Sequence, residues 1–280
     1  QEIQAAYTHL HYAGAMTQDR YTHGHQESVV NAHATRTIAN SAAYMASHLA
    51  PGVDLLDVGC GPGSITAEFV SRVMPGGSVL GIDYSEPVID RAQQTFGDSG
   101  ATFQTMDLYA LDIEDDSYDI AHAHQVLQHV SDPVAALREM HRVVRPGGII
   151  AVRDADYAGM HWAPESPLLD RWMSIYRRVA KANDAEPDAG RYLVKWAREA
   201  GLNDVSPSID AWLFAAPDRR EWWGSTWADR VLTSSFAEQA VAEGVSTTDE
   251  LGQIADGWRT WIAEQDGWFV VPHGQLICRV

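Results

Sequence analysis

The sequence contains few cysteines, few basic residues and no long apolar segment. Its two cysteines, Cys60 and Cys278, lie far apart in the chain, a spacing that indicates neither a disulfide framework nor a thiolate zinc site. Cysteines used this sparingly fit a reducing compartment. No uninterrupted apolar run approaches the roughly 20 residues that a membrane span needs. We therefore expect a soluble, cytoplasmic protein with no membrane partner.

Basic side chains are outnumbered by acidic ones, 20 against 38, and the formal net charge is −18. Nucleic-acid affinity comes mostly from Lys and Arg contacts to phosphates, and the sequence has no cluster of these residues. We expect no nucleic-acid partner. The chain has 280 residues and is 45% hydrophobic, so it can bury one large core with additions to it. The sequence leaves the oligomeric state open.

Short apolar runs alternate with helical patterns between residues 53 and 154. The strand candidates are 53–58, 78–83, 101–106, 118–123 and 148–153, and the helix candidates are 64–74, 86–96 and 132–145. A further helix is predicted over 189–200 and a strand over 205–214. This alternation predicts an α/β fold with a doubly wound, mostly parallel, Rossmann-like sheet of seven strands.

Tryptophan is concentrated in segments that do not continue the alternation. All ten tryptophans lie between Trp162 and Trp268, and most fall within 155–187 and 217–267. We predict that these two segments are helical cap insertions. In an open α/β sheet, ligands bind beyond the carboxyl ends of the strands, so we expect the caps to lie there.

The N-terminal segment combines an aromatic and histidine-rich piece, Tyr7 to His25, with a predicted helix over 28–49. We interpret it as a helical lid over the site. The predicted organisation is a lid over 1–50, core over 51–154, cap insertion over 155–187, core over 188–216, a second cap insertion over 217–267, and a final core strand over 268–280 that Pro272-His273-Gly274 breaks into a hairpin.

The stretch LLDVGCGPGSIT places Gly59, Gly61 and Gly63 at alternate positions between a strand and a helix. Glycines remove every Cβ from the turn, so a ligand can lie against the backbone N–H groups at the helix N-terminus. A tight turn alone explains one or two of these glycines more readily than three. A nicotinamide-binding loop would read G-x-G-x-x-G, and the third glycine here comes one residue early.

With Asp57 two residues before the first glycine, the loop resembles the D-x-G-x-G-x-G loop of class I S-adenosylmethionine-dependent methyltransferases. Further matches follow in the order of that family. They are Gly81-Ile82-Asp83-Tyr84-Ser85, Met106-Asp107-Leu108 and Tyr118-Asp119-Ile120-Ala121. The later stretches His124-Gln125-Val126-Leu127-Gln128-His129-Val130 and Arg145-Pro146-Gly147-Gly148 look like the ubiquinone/menaquinone-biosynthesis branch.

The resemblance implies that the chain binds S-adenosyl-L-methionine, and it assigns roles to the loop. Gly59, Cys60, Gly61 and Gly63 would contact the methionine and ribose portion, and Asp57 would lie near the ammonium group.

The resemblance also implies roles for residues after the second and third strands. Asp83 would accept both ribose hydroxyls, and Tyr84 would pack on the adenine face. Asp107 would accept the adenine amino hydrogen while the backbone N–H of Leu108 donates to the ring.

Methyl transfer needs a nucleophile held in line about 3–3.5 Å from the sulfonium methyl, with water excluded. The backbone around His124 and Gln125 would pass the sulfonium. A general base helps an oxygen or acidic carbon nucleophile. The sequence offers several candidates, of which His124, His25 and Tyr21 are preferred; the others are His129, His161 and His273. His122 and His124 alternate on one strand face, but two imidazoles without nearby acids make a poor metal site, so we predict no metal.

The caps supply aromatic side chains for an acceptor cavity, and the candidates are Trp162, Trp172, Trp222, Trp223 and Trp227. Most of these would form the core of a helical cap, and one or two would face the cavity. The predicted function is methyl transfer to a small, largely apolar or aromatic acceptor with release of S-adenosylhomocysteine. The alternatives are a non-catalytic S-adenosylmethionine-binding protein, which would keep the same motifs, and a nicotinamide-dependent oxidoreductase.

Overall fold

The computed structural model describes residue 22 and residues 35–280. Strands in this part of the chain form one sheet. Their bounds are β1 Asp54–Val58, β2 Ser78–Asp83, β3 Thr102–Thr105, β4 Tyr118–His124, β5 Val144–Ala155, β6 His161–Ala163, β7 Asp204–Phe214 and β8 Trp268–Arg279. The order across the sheet is β3-β2-β1-β4-β5-β8, with β7 on the far side of β8. β1 to β5 are parallel, and β8 runs antiparallel to β5 and to β7.

Some helices cover the two faces of the sheet, and others pack together in a separate cluster. The α-helices are α1 Ser64–Val73, α2 Glu86–Phe96, α3 Pro133–Val143, α4 Pro167–Ala182, α5 Leu193–Glu199, α6 Pro217–Thr233, α7 Ser235–Ala242 and α8 Thr248–Ala263. Before β1 lie a π-helix, Ile38–Ala42, and a 3₁₀-helix, Ala43–His48; shorter 3₁₀ turns are Gly97–Ser99, Leu127–His129, Tyr157–Gly159 and Ala189–Arg191. None of the helices within 35–280 is both long enough and apolar enough to cross a membrane.

The predicted α/β class, with a doubly wound and mostly parallel sheet, is confirmed. α1 and α2 pack on one face of the sheet, and α3 and α5 pack on the other. β6 adds to the predicted seven strands by pairing with the first residues of β8, beyond the end of β5. The predicted helix over 28–49 lies partly outside the described residues, and its described part is the π-helix and 3₁₀-helix before β1.

The predicted break at Pro272-His273-Gly274 is wrong, because β8 is one continuous strand. Pro272 lies where β5 stops pairing with β8 and before β6 begins, so no ladder hydrogen bond is lost there. Gly274 permits a close approach instead of a turn, since a Cβ at this position would lie 2.0 Å from the carbonyl oxygen of Gly190.

The helices α4, α6, α7 and α8, called the cap below, share an aromatic core around Trp172. The Trp172 ring meets Trp227 edge-on at 4.5 Å and Trp258 at 4.9 Å between ring centroids, and all three side chains are fully buried. Edge-to-face aromatic packing of this kind fixes the three helices α4, α6 and α8 relative to one another. The cap core continues to Phe269 on β8, so the cap is anchored to the sheet.

Candidate active site

The loop between β1 and α1 depends on three glycines with positive φ. The φ values of Gly59, Gly61 and Gly63 are 64°, 56° and 85°, which L side chains rarely adopt. A Cβ at Gly59 would lie 2.4 Å from a Val126 methyl, and one at Gly63 would lie 2.7 Å from the Phe103 ring. A Cβ at Gly61 would meet no atom within 4 Å. Gly59 and Gly63 therefore serve close packing, whereas the backbone at Gly61 is open to a ligand.

Asp83 ends β2 beside this loop. Its Oδ2 accepts a hydrogen bond from the N–H of Gly61 at 3.1 Å, and its Oδ1 accepts one from the N–H of Ser85 at 3.0 Å. Each carboxylate oxygen can accept more than one hydrogen bond, so the half-buried group suits a pair of hydroxyls. Burial first, and then the charges of Asp57 and Asp83, raises the pKa of the Cys60 thiol well above its ordinary value. The thiol is therefore protonated and unreactive at neutral pH.

Asp57 is buried at the end of β1 and is held by two partners. Its Oδ2 accepts a hydrogen bond from the Thr66 hydroxyl at 2.6 Å, and its Oδ1 lies 2.7 Å from His122 Nδ1. Since the carboxylate accepts, Nδ1 of His122 carries the proton. The expected contact of Asp57 with an ammonium group stays a prediction, and any such contact shares these oxygens.

The residues predicted to hold adenine lie at the same edge of the sheet. Asp107 is half-buried after β3, and its Oδ1 accepts from the N–H of Tyr109 at 2.9 Å. The N–H of Met106 donates to the carbonyl of Asp83 at 3.1 Å, which ties the ends of β2 and β3 together. Leu108 is half-buried, and Tyr84 is 57% exposed. The exposed ring of Tyr84 leaves it accessible to a planar ligand.

Gln125, directly after β4, is fixed by hydrogen bonds from both its backbone and its side chain. Its φ is 55°, and its N–H donates to the carbonyl of Arg153 at 2.7 Å. Burial, with the charges of Arg153 and Arg36, lowers the pKa of His273 well below its ordinary value, so this imidazole is neutral. His273 Nδ1 donates to the Val271 carbonyl at 3.0 Å, so its Nε2 accepts from Gln125 Nε2 at 2.9 Å. The Gln125 Oε1 then accepts a hydrogen bond from Arg36.

His124 lies inside the protein at the end of β4. Its ring is 5.8 Å from Trp212 and 6.2 Å from His273, and neither ring nitrogen has a hydrogen-bond partner in the described part of the chain. Burial, followed by the charges of Arg36 and Arg153, lowers the pKa of His124 well below its ordinary value. His124 is therefore neutral. The other two candidate bases, Tyr21 and His25, lie outside the described residues.

A cavity of about 300 Å³ lies between the cap and the ends of β4 and β5. Its aromatic wall consists of Tyr157, Trp212, Phe214, Trp222 and Trp223. Its polar lining consists of Thr35, Arg36, Asn40, Gln125, Gln128, His129, Asp218, Arg219 and Arg230, and the lining is completed by Ala155, Met160 and Val271. Gln125 belongs both to the predicted cofactor residues and to this lining.

Two of the tryptophans predicted for the cavity, Trp222 and Trp223, line it. Trp212 was not predicted to line the cavity, because it lies on β7 and not in an insertion. Its Nε1 donates to the Asn40 carbonyl at 2.7 Å, which joins the segment before β1 to the cavity wall. Arg36 was also missed, since no pattern in the sequence distinguishes it from a surface arginine.

Asp154, also not predicted, holds a turn that lines the cavity. Its side chain is fully buried at the end of β5, and its Oδ1 accepts from the N–H of Gln128 at 3.0 Å. Burial raises the pKa of Asp154 to about 8. This carboxyl group positions the turn that carries Gln128 and His129 into the cavity. A charged residue at the end of an apolar strand was the available signal.

No group of three or more His, Cys, Asp or Glu side chains among residues 35–280 is arranged to hold a metal ion. His122, a histidine considered for such a site, is instead hydrogen-bonded to Asp57.

Comparisons with known proteins agree with the geometry. A family model described as a methyltransferase domain matches residues 56–152. The uncharacterized methyltransferase C1B3.06c of Schizosaccharomyces pombe is 30% identical over 268 residues, which cover 92% of this chain and 95% of that protein. The demethylmenaquinone methyltransferase of Roseiflexus castenholzii is 32% identical over 169 residues, which cover 54% of this chain and 68% of that protein. The crystal structure of the YcgJ protein from Bacillus subtilis shares the fold, with 22% identity, a TM-score of 0.52, and coverage of 85% of this chain and 96% of that one.

The chain belongs to the S-adenosylmethionine-dependent methyltransferases, and the family resemblance is confirmed. The open backbone at Gly61 and the Asp83 carboxylate beside it fit the ribose end of S-adenosylmethionine. When bound, this cofactor supplies a methyl group on a sulfonium, already activated for transfer. The individual contacts of the predicted cofactor residues stay predictions.

We expect Asp83→Ala to weaken the binding of S-adenosylhomocysteine roughly ten- to a hundredfold, about 1.5–3 kcal/mol, because charged hydrogen bonds to the ribose are lost. Isothermal titration calorimetry measures the change. Asp90→Ala, an exposed acid on α2, is the matched control and should bind like the wild type. Unchanged affinity in a folded Asp83→Ala protein would show that the assignment of this acid is wrong.

Asp154 should make stability depend on pH. Its folded pKa of about 8 lies above the unfolded value of about 3.9, so the native state holds an extra proton between these limits. The free energy of unfolding should therefore fall as pH rises from about 5 to 8, by at most about 1.4 kcal/mol per pH unit.

Asp154→Asn has no proton to lose and should remove this contribution, so the variant gains stability relative to the wild type as the pH rises. Urea denaturation at several pH values measures the slope. Asp98→Asn, an exposed acid, is the control and should leave the slope unchanged. Parallel curves for Asp154→Asn and the wild type would contradict a raised pKa.

Proposed function

We propose that this methyltransferase acts on a small, largely apolar or aromatic acceptor by in-line displacement, releasing S-adenosylhomocysteine. The observation that carries the proposal is the cavity of about 300 Å³ that meets the cofactor residues at Gln125. Ligand cavities range from about 300 to 1,000 Å³, so its size suits an acceptor of one or two rings.

The aromatic wall supports a planar acceptor. Phe214 and Trp223 stack face to face with centroids 4.3 Å apart and 7° between ring planes, so this part of the wall is rigid. Aromatic faces bind planar rings and also attract a cationic group such as a sulfonium. The relative named demethylmenaquinone methyltransferase carries a quinone acceptor in its name, which favours the same chemical class.

Positioning and exclusion of water suffice for such a transfer, because the sulfonium methyl is already activated. Gln125 is held on three sides, so the edge of the cavity nearest the cofactor residues is rigid. His129 lines the cavity, but burial and the charge of Arg36 lower its pKa to about 3, which makes it a weak base. A base role for His124 stays a prediction, and its lowered pKa limits its strength in the same way.

The N-terminal segment is proposed as a lid that closes the cavity. Arg36 and Asn40 contribute to the lining. Thr22 is fully buried, and its hydroxyl accepts a hydrogen bond at 3.1 Å from Asn183, which directly follows the cap helix α4. Thr22 therefore contacts the cap, and Arg36 and Asn40 contact the cavity. Contacts at these two places are what a segment that covers the cavity needs.

We expect turnover when the protein is given S-adenosylmethionine and a panel of small phenols, quinols and aliphatic alcohols, measured as release of S-adenosylhomocysteine. Aromatic acceptors should react fastest, and a chelator should leave the rate unchanged. Trp222→Ala should lower kcat/KM about tenfold through lost stacking. Trp268→Ala, at a tryptophan outside the cavity lining, is the control. Binding of S-adenosylmethionine with no turnover on any acceptor would favour the non-catalytic alternative.

Deletion of residues 1–25 should weaken retention of S-adenosylmethionine and lower turnover, because water would reach the sulfonium. The melting temperature of the cofactor-free protein should change little. The full-length variant Thr22→Val separates loss of the Asn183 hydrogen bond, about 1 kcal/mol, from loss of the segment. Full activity in the truncated protein would rule out the lid.

A further inference from the structure

The described lining of the acceptor cavity is positively charged, although the chain as a whole is strongly acidic. The chain carries a net charge of −18, yet the described lining contains three arginines, Arg36, Arg219 and Arg230, and one acid, Asp218. His129 adds no charge at neutral pH, because its pKa is lowered to about 3. The described part of the lining therefore has the opposite sign to the net charge of the chain.

Two of these arginines lie partly or fully inside the protein, each beside a tryptophan ring. Arg230 is only 5% exposed, and its guanidinium lies 5.4 Å from the Trp227 ring centroid. Arg36 is half-buried and lies 5.8 Å from the Trp212 ring centroid. Burial raises the pKa of Tyr157, and the charges of Arg230 and Arg36 both act to lower it. Both charges therefore act on Tyr157, which also lines the cavity.

A further cation, outside the lining, lies next to the aromatic wall. Arg153 is fully buried, its guanidinium is 5.0 Å from the Trp212 ring centroid, and none of its side-chain nitrogens has a hydrogen-bond partner within the described chain. The carboxylate of Asp210 is 3.8 Å away and 54% exposed, so solvent weakens its effect. Asp154, next in sequence, is largely protonated at pH 7, since its pKa is about 8. Buried cations of this kind are costly unless an anion compensates them.

We propose that the acceptor carries a carboxylate, which binds to the lining arginines Arg36 and Arg230, while its ring packs against Trp212 and Trp222. This inference rests on the proposed function, and it narrows the acceptor to an anionic aromatic compound. A guanidinium presents a planar fork of N–H donors that matches a carboxylate and gains strength where water is excluded. The aromatic wall then fixes the plane of the ring, and the arginines fix the position of its carboxylate.

The test uses two compounds of the same shape and different charge, 2-naphthoate and 2-naphthamide, titrated by calorimetry into protein saturated with S-adenosylhomocysteine. We expect 2-naphthoate to bind at least about tenfold more tightly. Arg230→Gln should reduce the difference to less than about threefold. Arg259→Gln, an exposed arginine on α8 that removes the same charge outside the cavity, should keep the full difference.

Equal affinity of the two compounds for the wild-type protein would overturn the proposal, as would failure of both to bind at about 1 mM. Loss of S-adenosylhomocysteine binding in Arg230→Gln would also overturn it, since this arginine would then serve the cofactor. A calorimetric titration with S-adenosylhomocysteine alone tests the cofactor site separately. The proposed function fails only if no acceptor is methylated, so the two failures are distinguishable.

Discussion

The hydrogen bonds of Gln125 join the parts of the molecule that form the site. Its backbone lies after β4 in a conformation that few residues other than glycine adopt, and surrounding contacts must hold it there. Its side chain connects His273 on β8 with Arg36 in the segment before β1. The Val271 carbonyl can only accept, so His273 donates to it through Nδ1 and must accept from Gln125 through Nε2. A protonated His273 could not accept this hydrogen bond, so the arrangement requires a neutral imidazole.

Burial of charged groups sets the electrostatic character of the site. Acidic residues dominate the composition, but the interior behind the cavity holds Arg153 and the largely protonated Asp154. Low dielectric strengthens every interaction of an enclosed charge and also penalises any charge left without a partner. The same property that makes Arg153 costly supports the proposed binding of an anionic acceptor in the cavity.

Several features of the site were predictable because they depend on local sequence. Gly59, Gly61 and Gly63 had to permit positive φ or close approach, and Asp83 had to follow an apolar strand at the same edge of the sheet. The break predicted at Pro272 was wrong, because a proline in a strand is tolerated where no neighbour needs its N–H. That condition depends on where β5 and β6 end, which is a property of the assembled sheet.

The sequence by itself determined the α/β order, the glycine loop and the family, since each follows from residue types at short and regular spacing. Only the tertiary structure decided which side chains form the cavity. Arg36, Trp212 and Arg230 are far apart in the chain and meet because the cap packs on β8 and the segment before β1 packs on β7. Long-range packing of this kind depends on the shapes and volumes of many side chains at once, so no short pattern encodes it.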